Sequence, residues 1–303
     1  MNLDHGTDLA HTYDVAAMAR HAHAVLDAAW AGGVRYFDVA RSYGRAEEFL
    51  GSWLRARAIP PEVVIIGSKW GYTYTADWQV QAEIHEVKEH SLALLQRQWQ
   101  ESQQHLAGYL RLYQIHSATL ESGVLTKPDV LAELAFLKQQ NIAIGLSLSG
   151  PQQAATLAQA LTVTIDGVRL FDAVQVTWNL LERSAESMLA QAHDLGLTVI
   201  VKEALANGRL TRRNKAPQFA AQSALLQMEA TRLATSVDAL ALAAVLAQPW
   251  VTIALSGAAT VEQIRSNLRA LTVRWDQAVA DTLQVLVESP ERYWETRSKL
   301  PWN

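Results

Sequence analysis

The chain has 303 residues, of which half are hydrophobic and 18% are charged, with a net charge of −4. That composition supplies a large core and excludes a disordered chain, and the lack of any basic block argues against a nucleic-acid partner. Cysteine is absent, which excludes disulfides, thiolate nucleophiles and cysteine zinc sites, and fits a reducing cytoplasm.

The N-terminus, MNLDHGTDLAHTYD, is polar and acidic, unlike a signal peptide, and residues 1–13 are expected to be irregular. No apolar run reaches the roughly 18 residues of a membrane span. A helix is predicted from Asp14 to Ala31, stopped at Gly32-Gly33. The stretch FDVARSYGRAEE then opens as a strand, breaks at Ser42-Tyr43-Gly44 and continues as a helix from Arg45. Strands are predicted over Arg35–Ala40, Val63–Lys69, Tyr109–His116, Ile142–Ser147, Ala173–Asn179, Leu197–Glu203 and Val251–Ser256. Their runs are apolar on both faces, as in a covered parallel sheet. Helical segments are predicted between them at Val80–Leu106, Lys127–Gln140, Pro151–Leu161, Ser184–Leu195 and Ser236–Gln248. No linker, repeat or low-complexity tract interrupts the chain, so 1–303 reads as a single domain.

Alternating strands and helices imply parallel βα units, either in a closed eight-stranded barrel or in an open doubly wound sheet. An open dinucleotide-binding sheet usually carries a glycine-rich turn after its first strand, and no G-x-G-x-x-G occurs here. Instead, polar residues end strand after strand: Lys69, His116, Ser147, Asn179, Glu203 and Ser256. A (β/α)8 TIM barrel gathers such ends on one face, and the barrel is favoured. Seven strands are counted where a barrel has eight, so the N-terminal first strand is expected to be missing from this chain.

Taken singly, Asp38 reads as a structural acid, Tyr43 as an ordinary half-buried tyrosine and His116 as a satisfied core histidine. Lys69 follows the apolar run VVIIGS, and a buried ammonium needs a partner, for which Asp38 is the candidate. Together they form a mechanism. Lys69 would stabilise the Tyr43 phenolate, Asp38 would hold Lys69, and His116 would orient a carbonyl oxygen beside Tyr43. No side chain donates hydride, so a nicotinamide or flavin is required.

These residues sit in GVRYFDVARSYGRAEEFLG, VVIIGSKWG and LRLYQIHS, and there the sequence resembles the aldo-keto reductase family. The resemblance continues through IGLSLSG, QVTWNLLER, KEALANGRLT and SGAATVEQIRSNL. It implies a (β/α)8 barrel reducing an aldehyde or ketone with NADPH or NADH, with Asp38, Tyr43, Lys69 and His116 as catalytic tetrad. It implies nicotinamide amide contacts at Ser147 and Gln175. Leu205, Asn207, Gly208 and Leu210 would pass close to the pyrophosphate, and Lys202 would touch either a cofactor phosphate or Glu203. Ser256, Gly257, Gln263 and Asn267 would line the adenosine end. Three departures stand out. Leu148 replaces the usual asparagine, and Lys202 replaces the tyrosine that stacks on nicotinamide, leaving Trp178 as a substitute or no stacking at all. Gly257, Ala259 and Gln263 stand where NADPH-selective members present Lys or Arg. Trp70 and Trp78 either wall a substrate pocket or serve packing, and the C-terminal segment 291–303 is expected near the barrel mouth.

A barrel that binds nucleotide as a regulatory subunit, and a Schiff-base enzyme using Lys69, are the rival readings. His85, Glu86 and His90 resemble a zinc-protease motif, but histidines five apart lie about 140° around a helix and cannot share an ion. His21 and His23 diverge likewise, so no metal is expected. No apolar face stands out that would set an oligomeric state.

Overall fold

A computed structural model describes residues 14–75 and 86–300. The chain forms two compact units, one of Gly33–Gln175 and the other of Val176–Asn303 with the N-terminal segment through Gly32. Helix α1, Val15–Ala31, belongs to the second. Asp14 caps it, its carboxylate accepting from the Ala16 and Ala17 amides at 3.2 and 3.3 Å, which satisfies N–H groups that have no partner within the helix.

In the unit Gly33–Gln175, β1 (Tyr36–Asp38) leads into α2 (Ala46–Ala56) and then β2 (Ile65–Trp70). A hairpin follows, β3 (Tyr72–Tyr74) antiparallel to β4 (Glu86–Lys88). Next come α3 (Leu92–Leu106), β5 (Leu110–Ala118), α4 (Pro128–Gln139), β6 (Ala143–Leu148) and α5 (Gln153–Thr162). A second hairpin, β7 (Thr164–Ile165) with β8 (Val168–Arg169), precedes β9 (Ala173–Thr177). Strands β1, β2, β5, β6 and β9 lie side by side in that order, every recorded pairing parallel. The register sets Lys69 opposite Gln114 and Ser147 opposite Gln175, while Asp38 faces Gly67.

The predicted helix Val80–Leu106 is corrected. Its described part begins as strand β4, and the helix starts only at Leu92. Ser91 sets that start, its hydroxyl accepting from the Leu94 amide at 3.2 Å. The other strand predictions match β1, β2, β5, β6, β9, β10 and β11 to within a few residues. Among the described residues no strand precedes Tyr36.

In the other unit, α6 (Glu186–Asp194) is followed by β10 (Thr198–Lys202), α7 (Ala220–Arg232), α8 (Val237–Leu246), β11 (Ile253–Ala254) and α9 (Val261–Leu268). Helices α10 (Gln277–Leu283) and α11 (Pro290–Ser298) close the described chain. Strands β10 and β11 are parallel, Ile200 opposite Ile253. The core of this unit gathers Leu180, Leu210, Phe219, Leu240, Leu283 and Tyr293. Helix α8 is buried almost all round, from Val237 to Val245, which explains its lack of a polar face. No helix among the described residues is long and apolar enough to cross a membrane.

Candidate active site

The four strand-end residues converge within the unit Gly33–Gln175. Asp38 ends β1, and Lys69 lies in β2 with its side chain wholly buried. The Lys69 ammonium donates to Asp38 Oδ1 and to the Val39 carbonyl, the latter at 2.9 Å. Burial by itself lowers the affinity of the ammonium for its proton. Asp38, Tyr43 and Glu47 outweigh that effect and hold the ammonium above the ordinary lysine range. The same ammonium lies 5.1 Å from the centre of the Tyr43 ring. Tyr43 is 48% exposed, unlike its partners. Its hydroxyl is 3.4 Å from His116 Nε2, with the two rings edge to face at 5.5 Å. Ser42 Oγ lies 3.5 Å from His116 Nδ1, and the Tyr72 ring meets the imidazole edge at 4.9 Å.

Asp38 holds more than lysine. Its Oδ2 accepts from the Tyr36 hydroxyl at 2.9 Å, Gln175 Nε2 at 3.0 Å and Gln114 Nε2 at 3.2 Å. Tyr36 and Gln114 were not singled out in the sequence. Tyr36 was legible there, because residues two apart on a strand share a face. Gln114 reaches Asp38 across the sheet, and no local pattern signals that.

The turn carrying Tyr43 is fastened on both sides. Val39 and Arg41 amides donate to the Gly67 and Lys69 carbonyls at 2.9 and 3.1 Å, extending the β1–β2 pairing. Arg41 then donates to buried Glu47 at 2.5 Å and to Glu101 at 2.9 Å. Glu47 also accepts from the Ser68 and Ser102 hydroxyls at 2.6 and 2.7 Å. Two acids in the first turn of α2, Glu47 and Glu48, suit its N-terminal dipole.

Beneath His116 lies His90, whose Nε2 is 3.0 Å from the His116 carbonyl. Burial pushes His90 down to about 4 from the ordinary 6.5, with Lys88 and Lys127 adding to the effect against the His116 bond. The folded protein therefore refuses a proton that the unfolded chain accepts below about pH 6.5, so stability falls as pH drops from there to about 4. The loss is expected to be about 2–3 kcal/mol. Urea-unfolding midpoints taken through this range in wild type and His90→Gln check it, the glutamine variant lacking this part of the slope.

The remaining candidates divide. Ser147 and Gln175 are buried neighbours on β6 and β9. Leu148 is fully buried. Of the two readings of Trp70, its burial favours packing: it has no exposed surface and lies edge to face on His90 at 5.5 Å. Trp78 lies outside the described residues.

In the other unit, Lys202 ends β10 and donates to Thr177 Oγ1 at 3.1 Å, with Glu203 at 3.7 Å. Glu203 has φ of +56°, unusual for a non-glycine residue. Burial alone would raise its pKa, but Lys202 and Arg297 hold it down to about 2. The Arg297 guanidinium reaches it from α11 at 2.6 and 2.9 Å. Leu205 is partly buried, and Gly208 turns with φ of +90°. The Leu210 side chain lies in the core, so only its backbone is left to approach a ligand. Trp178 is buried edge to face on Trp250 at 5.5 Å, its indole donating to Glu186 at 3.3 Å, which favours the alternative in which no aromatic stacks on the nicotinamide.

Ser256 and Gly257 are exposed. Gln263 Oε1 accepts from the Ala259 and Thr260 amides at 2.7 and 3.3 Å, completing a capping box with Thr260. Asn267 donates to Ser256 Oγ at 2.8 Å. Both side chains thus shape the loop and helix end. The expected aromatic C-terminal segment is represented by buried Tyr293 and Trp294 on α11. Among the described residues no group of side chains has the makeup of a metal site.

Comparison with known proteins bears on the family and the fold. A family model described as "Aldo/keto reductase family" matches residues 7–288. The uncharacterised oxidoreductase YrpG of Bacillus subtilis is 25% identical over 306 aligned positions, covering 89% of each chain. The NADH-specific methylglyoxal reductase of Escherichia coli is 25% identical over 302 positions, covering 86% of this chain and 85% of its own. Among solved structures, the aldo-keto reductase AKR11C1 from Bacillus halodurans, in its holo form, superposes with a TM-score of 0.70 at 21% identity. That superposition covers 88% of this chain and 87% of the other, and it shows a shared fold. The fold is the TIM-barrel type expected from the sequence. Because the family model runs from before the first strand end to beyond Asn267, the chain belongs to the aldo/keto reductase family.

Proposed function

We propose that the chain reduces the carbonyl of an aldehyde or ketone, reversibly, with Tyr43 as proton donor. One observation carries the reading: a half-exposed phenol placed between a buried, charge-held ammonium and an imidazole. Reduction requires a hydride on the carbonyl carbon and a proton on its oxygen. A nicotinamide, when bound, would supply the hydride. Tyr43 Oη gives up the proton and becomes phenolate, whose charge the Lys69 cation stabilises. Asp38 fixes the lysine, and His116 Nε2, beside the same hydroxyl, orients the carbonyl oxygen. Oxidation of the alcohol runs the same transfers backwards.

The residues present fit a nicotinamide carboxamide by their chemistry. Ser147 Oγ accepts from the Ser117 amide at 3.3 Å, and its own O–H takes no partner among the described residues. Gln175 spends its amide N–H on Asp38, and its Oε1 is an acceptor. One hydroxyl donor and one carbonyl acceptor match a carboxamide, which presents one carbonyl and one NH2.

The Ser256–Thr260 loop, where family members meet the adenosine end, carries no charged side chain, and exposed Glu262 and Arg265 follow it on α9 with opposite charges. A 2′-phosphate is poorly held by a loop that brings no cation of its own. NADH is therefore accepted at least as well as NADPH, in line with the NADH-specific name of the Escherichia coli relative. The experiment is cofactor consumption with each dinucleotide against methylglyoxal, an aromatic aldehyde and a small ketone. Turnover with NADH equal to or faster than with NADPH is expected. Absence of consumption with every pair overturns the reading and favours a nucleotide-binding subunit.

A further inference from the structure

Three donors crowd one oxygen of Asp38, and one of them depends on a gap in the neighbouring strand. Tyr36 stands two residues before Asp38 on β1, so both side chains project from the same face. Its hydroxyl donates to Oδ2 at 2.9 Å. Gly67 is the register partner of Asp38 on β2. A Cβ at Gly67 would lie 2.4 Å from the Tyr36 hydroxyl and 3.3 Å from Asp38 Oδ2. Nothing larger than glycine leaves room for the phenol to reach the carboxylate. Burial, followed by the Asp38 charge, holds the Tyr36 phenol protonated far above neutral pH, so it stays a donor.

We propose that Tyr36 is a positioning residue for carbonyl reduction: its hydroxyl, seated in the slot that Gly67 leaves open, binds the Oδ2 edge of Asp38 and draws negative charge away from the Oδ1 that faces Lys69. The inference rests on the reading of Tyr43 as proton donor. Lys69 holds Oδ1, while Gln114 and Gln175 come to Oδ2 from β5 and β9. Tyr36 supplies the contact from β1 itself. Its hydrogen bond also disperses negative charge that would otherwise bear on Lys69. The charged and titratable groups around the Asp38–Lys69 pair are Tyr43 in the turn after β1, His116 on β5 beside Tyr43, and Glu47 on α2 acting on Lys69. Gln114 and Gln175 are neutral.

Without the Tyr36 hydroxyl, the carboxylate neutralises Lys69 more completely. The cation then stabilises the Tyr43 phenolate less, and the phenol becomes a weaker acid. Reduction needs Tyr43 protonated, so its rate falls on the alkaline side as that proton is lost, and the limb moves to higher pH in the variant. The test is Tyr36→Phe, read as a pH profile of kcat for reduction, with dinucleotide affinity by tryptophan fluorescence and the thermal midpoint in parallel. The expected result is a kcat about tenfold lower at neutral pH, an alkaline limb about half a unit higher and an unchanged cofactor Kd. A limb that stays in place overturns the proposal, whether or not the midpoint drops, because a purely structural contact alters stability alone. Gly67→Ala keeps the hydroxyl in the chain but denies it the slot. It is expected to move the limb in the same direction, and an unmoved limb in that variant also counts against the proposal if Tyr36→Phe does not fold. Tyr43→Phe serves as the control. If Tyr43→Phe is as active as wild type, the reading of the site fails. If Tyr43→Phe is inactive and both other variants keep the wild-type profile, only the positioning role fails.

Discussion

Replacing Tyr43 by phenylalanine is expected to lower kcat for carbonyl reduction by about 10²–10⁴-fold, the range of a lost general acid, or about 3–5 kcal/mol of barrier. Dinucleotide affinity is expected to stay within about twofold, since the tyrosine is proposed to act on the carbonyl oxygen. Stability should shift by no more than about 0.5 kcal/mol, because the ring is half exposed and the hydroxyl's contact with His116 is long at 3.4 Å. Lys69→Met provides the contrast. It removes the cation that stabilises the phenolate, so activity falls as well. It also strands Asp38, whose Oδ1 loses its partner, and breaking a buried ion pair costs about 3–5 kcal/mol. Steady-state kinetics and thermal unfolding of the two variants separate chemistry from support: one loses rate alone, the other loses rate and stability.

The second large effect is expected at Glu47. This carboxylate is fully buried and accepts from Arg41, Ser68 and Ser102. Glu47→Ala leaves two hydroxyls and a largely buried guanidinium without it, Arg41 keeping only Glu101. The expected loss is about 3–5 kcal/mol, a drop in thermal midpoint of about 10 °C or more. Glu47→Gln keeps the shape and acceptor of the side chain and loses the charge, so its loss should be smaller. Equal midpoints for wild type and Glu47→Ala would show that the cluster contributes nothing net. The cluster also joins strand and turn to function: Arg41 lies two residues before Tyr43, and Glu47 opens α2 just after it. Loosening it is expected to release the turn that presents the phenol.

How far the sequence was legible follows the range of each interaction. Asp38, Lys69 and His116 could be singled out because each interrupts or ends an apolar run, a local event, whereas Tyr43 stands in the polar break after β1 and was joined to them by the family resemblance. The partners of Asp38 were less visible. Tyr36 shares its strand face and was within reach of alternation. Gln114 and Gln175 arrive from β5 and β9, and only the strand order brings them there. The helix drawn from Val80 failed for the same reason. Residues Glu86–Lys88 pair with Tyr72–Tyr74, and a partner before a long connection leaves no local mark. Helix α7 was missed because its buried residues are few and include a carboxylate, Glu229, which thins the apolar periodicity. Gln263 illustrates competing signals. The T-V-E-Q pattern is a capping box readable from residue spacing alone, and the structure uses the side chain there.

The destinations of hydride and proton decide between carbonyl reduction and mere nucleotide binding. Purified chain should be mixed with NADH carrying deuterium at both positions of nicotinamide C4 and with the carbonyl panel, and the products analysed by mass spectrometry. The account predicts an alcohol bearing one deuterium on the former carbonyl carbon, formed by wild type and at least a hundredfold more slowly by Tyr43→Phe. Deuterium-free alcohol, or equal rates from the two proteins, would contradict it.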